Sequence, residues 1–345
     1  MIPGILIISL LLITTGMTIL YGIQHVPSIK FILYNAGYMT PVNFKNQEIV
    51  IDAKGQKIPV KLYRHVSVKS NKYFMILHGL TPQVYNHPRV HQLASSLCSA
   101  TGMNVLVPGV SVTIAGEKME HTFNHIAAIY ESLVKKYPGQ YRAFSACIAA
   151  NVLLVALTRV PDEMCPEKIF LLGPFLDGKT LFKYYNKPEN SGSMDIMVRL
   201  ATTLNMNDFN ETEKVVIRKA IASSKPGTTD RDAMKKILGD KLYNKIMMVK
   251  LQYEDFEKIG PQKMFPQKKA KCKFFIIHSK NDSIIPYAAG ENLAQFMKSS
   301  GMDVTFLGTR YIDHSSFHLS IAGFFSELKQ LIDFFDKLFE GDIGI

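Results

Sequence analysis

The chain has 345 residues, 47% of them hydrophobic and 20% charged, which excludes a disordered or fibrous protein and allows one large α/β domain with an insertion, or two smaller domains. Its formal net charge is +11, yet no base-reading motif or interleaving of aromatic and basic residues accompanies it, so nucleic acid is not an expected partner. The four cysteines, Cys98, Cys147, Cys165 and Cys272, form no C-x-x-C pair, which excludes a zinc ribbon or dithiol redox motif and reads as buried, reduced thiols.

Taken in chain order, residues 2–23 are apolar and uncharged. About 20 such residues span a bilayer core. A cleaved signal would show a basic start and a small-residue exit, and neither is present, so residues 1–29 read as an uncleaved membrane anchor. A cleaved or lipidated leader is the second reading, and no cysteine near the segment could accept a lipid. Lys30 and Lys45 follow the segment and no basic side chain precedes it, which favours the cytoplasmic side for the rest of the chain.

Residues 48–54 and 57–68 read as an antiparallel hairpin around Gly55, and 72–77 (KYFMIL) as a strand buried on both faces. Helix 88–101, strand 103–109 and the amphipathic helix 119–137 follow, the last stopped by Pro138-Gly139. The run YRAF (141–144) is predicted as a strand, 146–158 as a helix and 168–175 as a strand. After a break come strand 271–279, helix 287–300, strand 303–309 and helix 319–339. Such alternation predicts an α/β fold with a mostly parallel, eight-stranded sheet and helices on both faces. The core is expected over 30–177 and 272–345, with 178–271 as a helical cap insertion containing helices 193–204, 211–223, 230–238 and 240–259. Asn210 is the predicted N-cap of the second. This insertion holds 19 Lys and Arg against 11 Asp and Glu, so it carries most of the excess charge and is either a solvated surface or a face towards anionic lipid.

The chemistry centres on Ala143-Phe144-Ser145-Ala146-Cys147. A serine between a buried strand and a helix stands at the carboxyl edge of a parallel sheet, where such folds place ligands. The tight turn needs small residues two before and two after the nucleophile, as in G-x-S-x-G. Here those places hold Ala143 and Cys147, and Cys147 reads as a packing residue rather than a nucleophile, so Cys147→Gly is expected to keep or raise activity. His78-Gly79 ends the third strand, which makes the Leu80 amide one expected oxyanion donor and the Ala146 amide the other. Asp282, after the seventh strand, can orient an imidazole, and His314, after the eighth, can serve as base, with His318 as second choice. Asp313 adjoins His314 too closely in sequence to orient its ring. The pairs His87/His91 and His121/His125 lack a third ligand or an H-E-x-x-H glutamate, so no metal site is expected. Tyr287 and the aromatics of 182–185 are either packing residues or the lining of an acyl pocket.

On His78-Gly79, the turn at 143–147, N-D-S-I-I-P at 281–286 and His314, the chain from about residue 48 to 340 resembles the α/β-hydrolase superfamily, with a cap after the sixth strand. The resemblance implies a Ser145-Asp282-His314 triad, no metal, no organic cofactor and acyl-ester chemistry. The expected function is a membrane-anchored serine hydrolase acting on hydrophobic carboxylic esters or lipids. A thioesterase or amidase on the same fold, or a non-catalytic lipid- or partner-binding protein, are the alternatives.

Overall fold

The computed structural model describes residues 26–79, 84–110, 119–185, 209–223, 231–248, 272–312, 314 and 324–341. Eight strands form one sheet: β1 (Phe44–Ala53), β2 (Gln56–His65), β3 (Lys72–Leu77), β4 (Asn104–Pro108), β5 (Gln140–Ala146), β6 (Lys168–Leu172), β7 (Lys273–Ser279) and β8 (Asp303–Thr309). Their order is β1-β2-β4-β3-β5-β6-β7-β8. β2 runs antiparallel to β1 and β4, and every other pairing is parallel. The carboxyl ends of β3, β5, β6, β7 and β8 therefore share one edge.

Helices cover both faces, because period-two alternation sends successive side chains to opposite sides. In β5, Tyr141 and Ala143 join the larger apolar cluster with α3 (Met119–Lys136), α4 (Ile148–Leu157) and α9 (Tyr287–Ser299). Phe144 points the other way, to a second cluster with α1 (Pro27–Asn35), α2 (Pro88–Thr101) and α10 (Phe324–Phe339). There its ring meets Phe170 at 5.0 Å, and Phe170 meets Phe335 edge-on at 5.7 Å. Every residue of α4 is buried, as its all-round apolar sequence requires. Asn151 is its polar exception, and its amide closes two hydrogen bonds with the backbone of Phe175 at 2.6 and 3.1 Å. That pair pins the loop after β6 to the helix after β5.

The expected anchor, residues 1–29, falls mainly on residues 1–25, which lie outside the described residues. Residues 27–29 begin α1, whose Phe31 packs on Phe335 and Phe339 of α10 at 4.8 and 5.4 Å. Among the described residues no helix is long and apolar enough to cross a membrane. Within 178–271 the described elements are all helices: α5 (Gly178–Tyr185), α6 (Glu211–Ser223), α7 (Arg231–Leu238) and α8 (Asp240–Met248). The expected helix 193–204 lies outside the described residues. Asn210 caps α6 in a reciprocal box: its Oδ1 accepts from the Glu213 amide at 2.9 Å, and Glu213 accepts from the Asn210 amide at 2.9 Å.

Two buried cations hold the end of α10, where carbonyls lack helical partners. Arg142 of β5, 1% exposed, donates to Leu338 O at 2.7 Å and Glu340 O at 3.2 Å, and pairs with Glu167 at 3.2 Å. Lys168 of β6 donates to the carbonyls of Lys337, Leu338 and Glu340 at 2.8 to 3.1 Å. Arg142→Met keeps the apolar stem but leaves the Leu338 and Glu340 carbonyls to Lys168 alone, and should lower unfolding free energy by about 1–2 kcal/mol. Urea denaturation checks this; an unchanged midpoint would contradict it.

Candidate active site

The turn between β5 and α4 departs from the sequence expectation. β5 runs through Ser145 to Ala146, and α4 starts at Ile148 rather than at residue 146. Ser145 is fully buried, paired with Leu77 of β3 and Leu171 of β6, and its Oγ donates to the Leu77 carbonyl at 2.7 Å. A strand residue enclosed between neighbours with its hydroxyl already committed does not stand at the sheet edge. The expected nucleophile Ser145 thus lies inside the sheet, two residues before the turn, rather than on it.

Cys147 occupies the turn. It has φ 58° and ψ −141°, a left-handed conformation that non-glycine residues rarely adopt. Such a residue carries strain on the order of 1–3 kcal/mol, and strain of this kind gathers at functional sites. The turn holds because the Cys147 amide still bonds to Leu172 O of β6 at 2.8 Å, while its carbonyl accepts from Ala150 at 2.9 Å. Small, fully buried residues flank it two positions away, Ser145 before and Ala149 after. The tight-turn pattern is therefore Ser145-Ala146-Cys147-Ile148-Ala149, displaced by two from the expected one. Cys147 is partly exposed.

His314 connects this turn to an acid. Its Nδ1–H faces both oxygens of Asp282, at 3.1 and 3.0 Å, and Cys147 is close enough to act on the charge of the ring. With Nδ1 committed to the acid, Nε2 is the nitrogen left for the thiol. Asp282, its side chain 1% exposed, is fixed by the amides of Ile284 and Ile285, which donate to its Oδ1 at 2.8 and 2.9 Å. Burial disfavours its charge, but the bond to His314, the His314 charge and the Ile285 amide hold its carboxyl below the usual range. Burial likewise opposes a charged His314, yet the Cys147 charge and bond, with those of Asp282, push its pKa up to about 10. Because that pKa is raised from 6.5, the stabilisation from charged His314 is complete below pH 6.5 and lost as pH climbs towards 10. Thermal melts at pH 7 and pH 10 should show a larger loss in the wild type than in His314→Gln; equal losses would contradict the charged imidazole.

Sequence reasoning missed two neighbours of the pair. Gly173 follows β6 with φ 58°, and a Cβ there would lie 3.5 Å from Asp282 Oδ2. His278 is fully buried, with Nε2–H donating to Ile285 O at 2.9 Å and lying 3.6 Å from Asp282 Oδ2. Burial lowers its pKa, so it packs as a neutral ring behind the acid. The glycine after strand LLG and the histidine ending strand FFIIH were the available signals.

The other expected positions divide. Ala146, the other expected oxyanion donor, is the last residue of β5, paired with Leu172, and the amide that follows the turn at Cys147 is that of Ile148. Ile148 is the first residue of α4, where amides have no intrahelical acceptor. Gly79 borders the turn, since a Cβ on it would lie 3.8 Å from the Cys147 Cβ. His78 is buried, its pKa lowered by burial, and its Nδ1 lies 3.1 Å from Gly79 O, which suits a structural loop residue. Leu80, Asp313 and His318 lie outside the described residues. Tyr287 of α9 packs on Phe306 at 5.8 Å, a packing role, whereas Tyr184 of α5 donates to Ser283 O at 3.4 Å beside the acid. Among the described residues no group of His, Cys, Asp and Glu could hold a metal ion.

No family model and no curated protein sequence matches the chain. Solved structures do. A variant of the esterase rPPE is 15% identical, with TM-score 0.56 over 94% of this chain and 92% of that one. A thermostable esterase from Pseudomonas putida is 14% identical, with TM-score 0.52 over 94% and 92%. Carboxyl esterase 2 from the fungus Tuber melanosporum is 14% identical, with TM-score 0.52 over 88% and 87%. At such identity the likeness establishes the fold: the chain has the α/β-hydrolase architecture of these esterases.

Proposed function

We propose that this protein is a hydrolase of carboxylic acyl esters that works through a covalent acyl-enzyme on Cys147, with His314 as acid and base and Asp282 as its orienting group. The observation that carries this reading is the strained backbone of Cys147, φ 58°, at a turn close enough to His314 for the two side chains to interact electrostatically. A nucleophile needs exposure, a base within hydrogen-bond reach and a third group to orient that base. Cys147, His314 and Asp282 supply these in the chain order nucleophile, acid, histidine.

In the proposed reaction the Cys147 thiolate attacks the acyl carbonyl, and the Ile148 amide at the start of α4, with an amide from the loop after Gly79, receives the oxyanion. Collapse expels the leaving group with a proton from His314. Acylation removes the Cys147 charge, one of the causes that hold the His314 proton. The imidazole then accepts a proton from water, and hydroxide character at that water releases the carboxylic acid and regenerates the thiolate.

The apolar, uncharged run 2–23 supports a membrane tether and, with the basic insertion, hydrophobic acyl substrates. Alkaline carbonate extraction of membranes tests the tether, which predicts retention in the pellet. For the reaction, p-nitrophenyl butanoate is the first substrate. The reading predicts turnover by the wild type and by Ser145→Ala. Turnover lost in Ser145→Ala alone would restore the serine, and a folded wild type without turnover would favour a non-catalytic binding protein.

A further inference from the structure

A thiol nucleophile in this setting has a consequence for substrate choice. In any tetrahedral intermediate on Cys147 two groups compete to leave, the Cys147 thiolate and the group brought by the substrate. The group of lower pKa leaves faster. A cysteine-like thiol titrates near about 8.5 and a phenol near about 10, whereas an alkanol resembles water at about 15.7. With a simple alkyl ester the intermediate reverts by expelling Cys147, unless a strong acid protonates the alkoxide as it departs.

His314 is poorly suited to supply that acid. Its Nδ1 is held between both carboxylate oxygens of Asp282 at 3.0 and 3.1 Å. An imidazolium gripped by a buried carboxylate gives up its proton reluctantly, and general-acid assistance falls as the acid weakens. Among the described residues no second carboxyl group faces the pair; the neighbours are His278, 3.6 Å from Asp282 Oδ2, and Tyr184, which donates to Ser283 O.

We propose that the Cys147 centre selects acyl donors by leaving group, cleaving thioesters, whose thiolate departs without strong acid assistance, in preference to alkyl oxoesters. This rests on the assignment of Cys147 as nucleophile. Bonds balance as a transthioesterification followed by hydrolysis. The Cys147 Sγ–acyl bond forms and the substrate C–S bond breaks, with the departing thiolate taking the His314 proton. Water then adds, its proton passing to His314, and the Sγ–acyl bond breaks to give the carboxylic acid. No oxidant or cofactor enters.

The test compares three butanoyl donors on the full-length protein: S-ethyl thiobutanoate, phenyl butanoate and ethyl butanoate. The wild type is expected to favour the thioester over the ethyl ester in kcat/KM by about 100-fold or more, with the phenyl ester between. In Cys147→Ser the nucleophile itself becomes a poor leaving group, so the preference should shrink about 10-fold or more even though absolute rates fall. Circular dichroism confirms that the variant is folded. Equal wild-type kcat/KM for thioester and ethyl ester, with all turnover lost in Cys147→Ala, would overturn the selectivity and leave the nucleophile standing. Full turnover in Cys147→Ala would overturn the nucleophile assignment itself.

Discussion

Cys147→Gly should become more stable and inactive at once. Glycine adopts φ 58° without the penalty paid by a side chain, so unfolding free energy should rise by about 1 kcal/mol. The same change removes the sulfur, and p-nitrophenyl butanoate hydrolysis should fall about 1,000,000-fold, as when the nucleophile of a triad is deleted. A denaturation curve and a rate on one sample give both numbers. If Cys147 merely packed beneath a serine nucleophile, glycine would leave the rate intact, which is what the sequence alone suggested.

The second large effect concerns the acid. Asp282→Asn retains an oxygen for the Ile284 and Ile285 amides at 2.8 and 2.9 Å, so the loop should keep its shape. It replaces the negative charge facing His314 Nδ1 with a neutral amide and favours the wrong tautomer. Activity should fall about 1,000- to 10,000-fold. The upper limb of the pH–rate profile should also move to lower pH, because one of the charges that raise the His314 pKa is gone. A slower enzyme with an unshifted profile would mean that Asp282 serves packing alone.

Much of this architecture was legible before any coordinates. Strand 72–77 and helix 119–137 fall, to within a residue, where the continuous apolar run and the amphipathic pattern put them, since both signals reflect burial directly. The meeting of Asp282 and His314 is legible because strand ends line one edge of a parallel sheet, and the structure brings the two together. The place of Cys147 at the turn is not, for a specific reason. The motif was read around a hydroxyl, so the strand was stopped at residue 144, two residues before its actual end at Ala146. Propensity offers no penalty for carrying Ser145-Ala146 in a strand or a helix. The pairing of Ser145 with Leu77 and Leu171 decides it, and such long-range pairing has no local signature. His278 and Gly173 are missed because their value lies in packing against Asp282, a contact that no local motif announces.

Trapping the acyl-enzyme tests the central claim most directly. Wild-type protein mixed with p-nitrophenyl butanoate, quenched in acid during turnover, digested with pepsin and sequenced by mass spectrometry should carry the butanoyl group on Cys147. That adduct should be released by neutral hydroxylamine, as a thioester is. A butanoyl group on Ser145, resistant to the same treatment, would contradict the account.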